Sequence, residues 1–126
     1  MGVFILLLVL CPLASAVPHS LKYFYTGSSH VPNFPEFVTV GMVDGLQMVH
    51  YDSNTQRAVP KQDWMDQVTA GDPQYWERNT GNFMDSQQLF KTNIETVKQR
   101  FNQTGGMFMF HFSPITCAVS IGTRYI

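Results

Sequence analysis

A change in hydrophobic period divides this chain and limits the folds that it can adopt. Short strand-like runs occupy Leu21 to Val59, whereas apolar residues after Gly71 recur at helical intervals. The helical stripe consists of Trp76, Phe83, Phe90, Ile94, Val97 and Phe101. Strands followed by one long helix indicate an α+β fold, in which a strand meander is covered by that helix.

Four strands are predicted before the helix. Asp44-Gly45 separates two of them and is a strong hairpin signal, because the tight turn needs positive φ. A proline, Pro60, ends the last and shortest strand. The predicted strands are Leu21–Thr26, Phe37–Val43, Leu46–Tyr51 and Arg57–Val59. We therefore expect a four-stranded antiparallel meander.

The helix is expected to run from Pro73 to about Phe101. Gly71-Asp72-Pro73 predicts a break, an N-cap carboxylate and a proline that starts the helix. Gly81 is its weak point, where a bend or fray is expected.

A second, mostly polar stripe flanks the apolar one, and its members are spaced alternately four and three residues apart. It consists of Tyr75, Asn79, Asn82, Ser86, Leu89, Asn93, Thr96 and Arg100. Amides and hydroxyls in a row suit hydrogen bonding to an extended backbone beside the helix. An ordinary solvated helix flank has a similar composition, so the stripe alone leaves both interpretations open.

The amino end predicts a targeting segment. The apolar run Phe4–Leu10 precedes Ala14-Ser15-Ala16, a small-residue cleavage pattern. We expect residues 1–16 to be a signal peptide and the mature chain to begin near Val17, in the secretory pathway, the extracellular space or the cell surface. A buried strand or helix is the alternative for the apolar run.

Catalysis and nucleic-acid binding are not expected. The formal net charge of -1 gives no basic surface for nucleic acid. The four histidines, His19, His30, His50 and His111, show no metal-ligand spacing, and no nucleophile–base arrangement is evident. We expect that the chain is not an enzyme and that it binds neither a metal ion nor a cofactor.

Several short segments, taken in order, resemble the alpha-1 domain of major histocompatibility complex class I heavy chains of a non-mammalian, fish-like type. The matching segments are residues 19–26, 37–44 and 49–53, Gln56-Arg57, Trp64, residues 74–76 and residues 101–104. The resemblance implies that residues 17–105 form half of an antigen-recognition platform. Four strands would form half of a groove floor, and the long helix one groove wall.

The resemblance also implies which residues contact a short peptide. Tyr23 and Tyr75 would hold its amino terminus through their phenols, and Asn93 would bond its backbone near the carboxyl end. Arg100 stands where mammalian relatives have tyrosine and could meet the terminal carboxylate. The implied contact residues are Tyr23, Tyr25, Thr39, Tyr75, Asn79, Asn82, Phe83, Ser86, Leu89, Asn93, Thr96 and Arg100.

On the opposite face of the sheet, the resemblance implies a site for the family's light chain, beta-2 microglobulin. Its residues would be Phe24, Val38, Val40 and Met42, with Gln47 and His50 at the edge. Plain core packing is the alternative for the apolar members. Asn102, in the sequon Asn102-Gln103-Thr104, would carry an N-glycan.

The resemblance ends after Gly105-Gly106. We expect residues 106–126 to be a non-homologous tail that is disordered or poorly packed, and we expect no membrane anchor in the chain. The implied function is the alpha-1 part of an antigen-presenting glycoprotein recognised by T-cell or natural-killer-type receptors, unable to present peptide stably by itself. The alternatives are a secreted class I-like ligand or decoy for an immune receptor, without peptide presentation, and a non-functional truncated product.

Overall fold

A computed structural model describes the backbone of residues 17–119 and the side chains of residues 18–114. The predicted signal peptide lies outside the described residues. The elements in chain order are β1 (Val17–Ser29), β2 (Phe37–Val43), β3 (Leu46–Asp52), β4 (Val59–Pro60), α1 (Trp64–Thr69), α2 (Tyr75–Arg100) and β5 (Met107–Val119). The strands form one antiparallel sheet in the order β4-β3-β2-β1-β5, and α2 packs on one face of it.

The predicted α+β architecture is confirmed, but the sheet has five strands rather than four. The four predicted strands are present in the predicted meander. The shortest of them lies at Val59–Pro60 instead of Arg57–Val59, and Pro60 is paired with Val49. A proline is tolerated there because β4 is an edge strand, whose outer side needs no N–H donor.

The fifth strand, β5, forms from the segment that we expected to be a disordered or poorly packed tail. It pairs antiparallel with the whole of β1, from Ser29↔Met107 to Val17↔Val119. Phe108, Phe110 and Phe112 alternate along it with less bulky or more polar residues, which is the period of a strand. Its Pro114 is again tolerated at an edge of the sheet.

The predicted Asp44-Gly45 turn between β2 and β3 is confirmed. Both residues have positive φ, 48° at Asp44 and 82° at Gly45, as a tight hairpin turn with strand-like twist requires. The Asp44 carboxylate accepts the backbone N–H of Ser20 at 2.8 Å and contacts His19 Nδ1 at 2.6 Å. These bonds, first that of Ser20, lower the pKa of Asp44, and they tie the start of β1 to the turn.

Helix α2 confirms the predicted helix with slightly trimmed ends, but it begins differently. The N-cap residue is Gln74, without a side-chain cap, and the Asp72 carboxylate instead pairs with Arg78 at 2.6 Å. The helix continues through Gly81 without a break. At its other end Asn102 has a φ of 49°, and Gln103 N–H donates to the Lys98 carbonyl at 2.9 Å, which closes a Schellman-type cap.

The apolar face of α2 holds the helix on the sheet. Phe83, Phe90 and Ile94 are buried as predicted, whereas Phe101 is 66% exposed because the helix has already ended there. The Phe90 and Phe37 ring centroids lie 5.2 Å apart, and the Tyr51 hydroxyl donates to Gln87 Oε1 at 2.6 Å. These contacts attach the helix to β2 and β3.

The approach of α2 to β1 is closest at Gly27. A Cβ at this position would lie 2.7 Å from Phe90 Cδ1 and 3.0 Å from Ile94 Cδ1. Only a residue without a side chain allows this spacing, so Gly27 sets how deeply the helix sits against the sheet.

Candidate functional site

An open pocket of about 410 Å³ lies between the polar edge of α2 and the helix-covered face of the sheet. Its lining residues are Tyr25, Ser86, Leu89, Phe90, Asn93, Met109, Phe110, His111 and Ser113. Four residues of the predicted peptide site, Tyr25, Ser86, Leu89 and Asn93, are therefore brought together in one concavity. We call the depression between α2 and the face of β1 and β5 the trough.

Three tyrosines of the predicted site also come together. The ring centroids of Tyr23 and Tyr25 are 6.3 Å apart, and Phe83 lies 6.2 Å from Tyr23. Burial, and then the neighbouring Tyr75 and Tyr25, raise the pKa of Tyr23 to about 12. Burial also raises the pKa of Tyr25 and of Tyr75. At neutral pH the three phenols remain protonated and can donate hydrogen bonds.

Room for the Tyr23 ring comes from Gly41 on the neighbouring strand. A Cβ at Gly41 would lie 2.9 Å from Tyr23 Cε1, because the two residues face each other across β1 and β2. On the other side of the cluster, the Arg78 guanidinium lies 5.9 Å from the centroid of the Tyr75 ring. Tyr23 therefore packs against the backbone at Gly41, and Tyr75 lies beside a cation.

The remaining residues of the polar edge differ in their availability to a ligand. Asn82, Asn93, Thr96 and Arg100 are exposed, and Leu89 is 60% exposed. Asn79 is half-buried and donates to the Tyr75 carbonyl at 2.8 Å. Thr96 donates to the Thr92 carbonyl at 2.9 Å, which leaves its hydroxyl oxygen able to accept.

Two predicted contact residues lie beneath the surface of the trough. Thr39 is 0% exposed, and its buried hydroxyl oxygen has no hydrogen-bond partner in the structure. Phe83 is 4% exposed and packs between Tyr23 and Tyr51. Thr39 of β2 and Phe83 of α2 lie between the helix and the sheet, so they support the trough and do not border it.

Three residues of the trough floor were missed because they belong to β5. Met109, His111 and Ser113 face the helix opposite Gly27, Tyr25 and Tyr23 respectively. The sequence signal that could have found them is the alternation of phenylalanines at every second position of this strand. The floor of the trough is therefore built from β1 and β5 together.

The opposite face of the sheet carries the residues predicted to contact a light chain. The strand register aligns Phe112, Phe24, Val40 and His50 in a row across β5, β1, β2 and β3. The Phe24 and Phe112 ring centroids are 4.9 Å apart, and these side chains are 40% and 48% exposed. Val38, Met42 and Gln47 share this face and are half-buried. We call this surface the underside.

A second cleft, of about 510 Å³, lies on the other flank of α2. It is formed by the connection from Ser28 to Glu36 and by helix residues that include Lys91 and Glu95. None of the predicted peptide-contact residues lines it. The two flanks of the helix therefore carry distinct concavities, which an experiment can separate.

Within residues 17–119, His, Cys, Asp and Glu side chains do not gather in threes around a point where a metal ion could bind. Over the same range, none of the helices combines the length and the apolar character needed to cross a bilayer.

Comparisons with known proteins identify the family of the chain. The family model of class I histocompatibility antigens, domains alpha 1 and 2, matches residues 17–125. This match includes β5, which lies beyond the segments on which the resemblance was first based. The chain belongs to the class I histocompatibility antigen family.

Individual relatives come from birds and mammals. The chain is 37% identical over 107 residues to the class I histocompatibility antigen F10 alpha chain of Gallus gallus, covering 84% of this chain and 30% of that relative. It is 42% identical over 95 residues to the H-2 class I histocompatibility antigen K-K alpha chain of Mus musculus, covering 72% of this chain and 25% of that relative. The chain thus spans between a quarter and a third of the length of these relatives.

Proposed function

We propose that the chain forms one wall and half of the floor of a peptide-binding groove in an antigen-presenting glycoprotein. The observation that carries this proposal is the pocket that the polar edge of α2 shares with β1 and β5. A merely solvated helix flank would face water, whereas Ser86 and Asn93 face a concavity floored by Tyr25. Family membership supports the same role.

The dimensions and the chemistry of the trough suit an extended peptide. The 26 residues of α2 correspond to about 39 Å, the length of about 12 extended residues. An extended peptide has unpaired N–H and C=O groups along its length, and amides and hydroxyls on the helix edge can both donate to and accept from them. The phenols of Tyr23 and Tyr75 at one end would hold the amino terminus, and Arg100 at the other would bind the terminal carboxylate.

The underside is the proposed site for beta-2 microglobulin. Exposed or half-buried apolar residues that are contiguous on one face are typical of an interaction surface, and Phe24, Phe112 and Val40 form such a row. Core packing would instead have buried the two phenylalanines, which are 40% and 48% exposed. This exposure favours the light-chain interpretation for these positions.

The remaining parts of the proposal follow from the secretory route. Asn102 is exposed just beyond the end of α2, where an N-glycan can be attached without displacing packed residues. The upper side of α2 and a bound peptide would together be presented to T-cell or natural-killer-type receptors outside the cell. The role is one of binding, without a catalytic step.

Fluorescence anisotropy with a labelled nonapeptide tests the peptide site. Ser86→Trp places an indole in the pocket and should weaken peptide binding by at least about tenfold, since it removes the space that the peptide occupies. Gln88→Trp, at an exposed position outside the pocket lining, is the matched control and should leave binding unchanged. Far-ultraviolet circular dichroism verifies that both variants fold.

Residues 17–119 supply one helical wall, so we expect weak and rapidly exchanging binding that is nevertheless saturable. Equal loss of peptide affinity in Ser86→Trp and Gln88→Trp, or no saturable peptide binding at all, would contradict the proposal. Binding to an immune receptor without any saturable peptide binding would instead support a class I-like ligand or decoy.

A further inference from the structure

The pocket in the trough has a distinctive balance of charge. Of its lining residues, His111 is the only one with a side chain that can carry charge near neutral pH. Ser86, Asn93 and Ser113 contribute neutral hydrogen-bonding groups, and Leu89, Phe90 and Met109 contribute apolar surface. No carboxylate borders the pocket within the described residues. An imidazole without an acidic neighbour is available to an incoming anion.

The groups that face His111 come from two packed elements. From β1, Tyr25 faces it directly, with ring centroids 5.9 Å apart, and Tyr23 follows at the next position on the same face. From α2, the pocket-lining side chains are all uncharged. The charged positions next to the pocket along that helix are Asp85, which does not line it, and Lys91 and Glu95, which line the cleft on the other flank of the helix.

Other histidines in the described chain are placed differently. His19 Nδ1 lies 2.6 Å from the Asp44 carboxylate, and His50 Nε2 lies 3.1 Å from that of Asp52. These imidazoles are already paired with acids, on parts of the sheet away from the pocket. His111 instead combines a concavity, hydroxyl and amide donors, and no competing carboxylate.

We propose that this pocket selects a peptide with an acidic side chain, aspartate or glutamate, and that His111 is the residue that determines the preference. The inference rests on the proposed peptide-binding function and adds a specificity to it. The carboxylate would accept hydrogen bonds from Ser86, Asn93 or Ser113 and would pair with the protonated imidazole. The imidazole pairs with a carboxylate only when it carries a second proton, so we expect the preference to be greater at acidic pH.

The position of the acidic residue in the peptide follows from the helix geometry. Ser86 and Asn93 lie about 16 and 27 Å along α2 from Tyr75, the proposed amino-terminal end. At about 3.3 Å per extended residue, the pocket meets roughly the fifth to eighth peptide residue. An acidic residue nearer the amino end would face the tyrosine cluster, where hydroxyls donate and where the neighbouring cation, Arg78, is already paired with Asp72.

A positional scan with isosteric peptides tests the inference. Nonapeptides that differ only by glutamate or glutamine at one position are compared on the full chain at about pH 5.5 and at about pH 7.5. We expect glutamate to bind about fivefold more tightly than glutamine at one position between five and eight at the lower pH. The ratio of the glutamate-peptide affinity to the glutamine-peptide affinity should fall towards one at the higher pH.

His111→Gln is the decisive variant, since it retains hydrogen bonding but not the charge. In this variant the ratio of the glutamate-peptide affinity to the glutamine-peptide affinity should be close to one at both pH values. His30→Gln, at an exposed position that does not line the pocket, is the control and should leave the preference intact.

The outcomes separate the two proposals. Saturable binding with equal affinities for glutamate and glutamine, or a preference that survives His111→Gln, would overturn the acidic selectivity and leave the groove proposal standing. Absence of saturable binding by any peptide in the scan would overturn both.

Discussion

His111 and Tyr25 face each other across β5 and β1, with their ring centroids 5.9 Å apart on the side of the sheet that carries α2. This pair joins the two strands that form the trough floor. Only one of the two strands was predicted from the sequence, and the pocket needs both. The pairing of β5 with β1 is therefore what turns a helix flank into a bordered trough.

The spacing between α2 and the sheet should depend on Gly27. Gly27→Ala places a Cβ within 2.7 Å of Phe90 Cδ1 and 3.0 Å of Ile94 Cδ1. Because two buried side chains must shift, we expect the free energy of unfolding to fall by about 1–3 kcal/mol. Urea denaturation monitored by circular dichroism measures this change.

Gly81→Ala provides the matched control for Gly27→Ala. A Cβ at Gly81 meets nothing within 4 Å, and the position lies inside α2. Alanine in a helix interior is favoured over glycine by about 0.5–1 kcal/mol, so this variant should be more stable. Destabilisation by both variants, or by neither, would contradict the proposed close approach at Gly27.

These two glycines also show how far the sequence could specify the fold. The periodicity around Gly81 predicted α2 to within a few residues, and the Asp44-Gly45 pair predicted its hairpin, because both signals are local. The close approach at Gly27 joins residues that are more than 60 positions apart in the chain. No local pattern marks such a contact.

Only part of the candidate site could be predicted from the sequence, for the same reason. The polar edge of α2 and the alternating tyrosines of β1 have periodicities that identify their faces. Thr39 was placed on the correct face, but its complete burial depends on how α2 covers β2. In β5, the phenylalanines at every second position have the period of a strand, but the segment lies beyond the residues that carry the resemblance, so the strand and its contribution of His111 were missed.

Asn102 should have two separable roles, one as a glycan acceptor and one as a helix cap. Thr104→Ala abolishes the sequon without changing the cap, so mature protein from secretory cells should lose its N-glycosidase-sensitive mobility shift and keep its stability. Asn102→Gly should also lose the shift, yet be at least as stable, because glycine adopts a φ of 49° without strain.

Asn102→Val is the complementary variant. A β-branched residue is strained at positive φ, so we expect a loss of about 1 kcal/mol in the free energy of unfolding. If Asn102→Val were as stable as Asn102→Gly, the capping role would be refuted, and a mobility shift in the Thr104→Ala protein would refute the glycan site.

The underside should be needed for light-chain association and dispensable for folding. Replacement of Phe24 and Phe112 together by serine removes the central apolar pair of the row. Because these side chains are already 40% and 48% exposed, stability should change little, whereas affinity for beta-2 microglobulin should fall by at least about tenfold.

Surface plasmon resonance with immobilised beta-2 microglobulin measures this affinity. Val68→Ser, an exposed apolar position on α1, serves as the control and should bind normally. Unchanged affinity in the double variant would exclude the proposed light-chain site, and unfolding of that variant would support core packing instead.

Alkaline pH should destabilise the fold through Tyr23. Burial, followed by the nearby Tyr75 and Tyr25, raises the pKa of Tyr23 from 10.0 to about 12, so the folded chain keeps a proton that the unfolded chain has lost. The unfolding free energy should therefore fall as the pH rises from about 10 to 12. Below about pH 10 Tyr23 is protonated in both states and adds nothing to the slope of the unfolding free energy with pH. Urea denaturation at several pH values measures the slope, and Tyr23→Phe should make it shallower. An unchanged slope would show that Tyr23 is not buried as described.

Photo-crosslinking tests the existence of the groove most directly. A nonapeptide with a photoreactive residue at position six is irradiated with the purified chain, and the attachment sites are mapped by mass spectrometry. We predict attachment to Tyr25, Ser86, Asn93 or His111, with competition by unlabelled peptide. Competable attachment confined to the cleft between Ser28 and Glu36, or to the underside phenylalanines, would contradict a peptide groove between α2 and the strands β1 and β5.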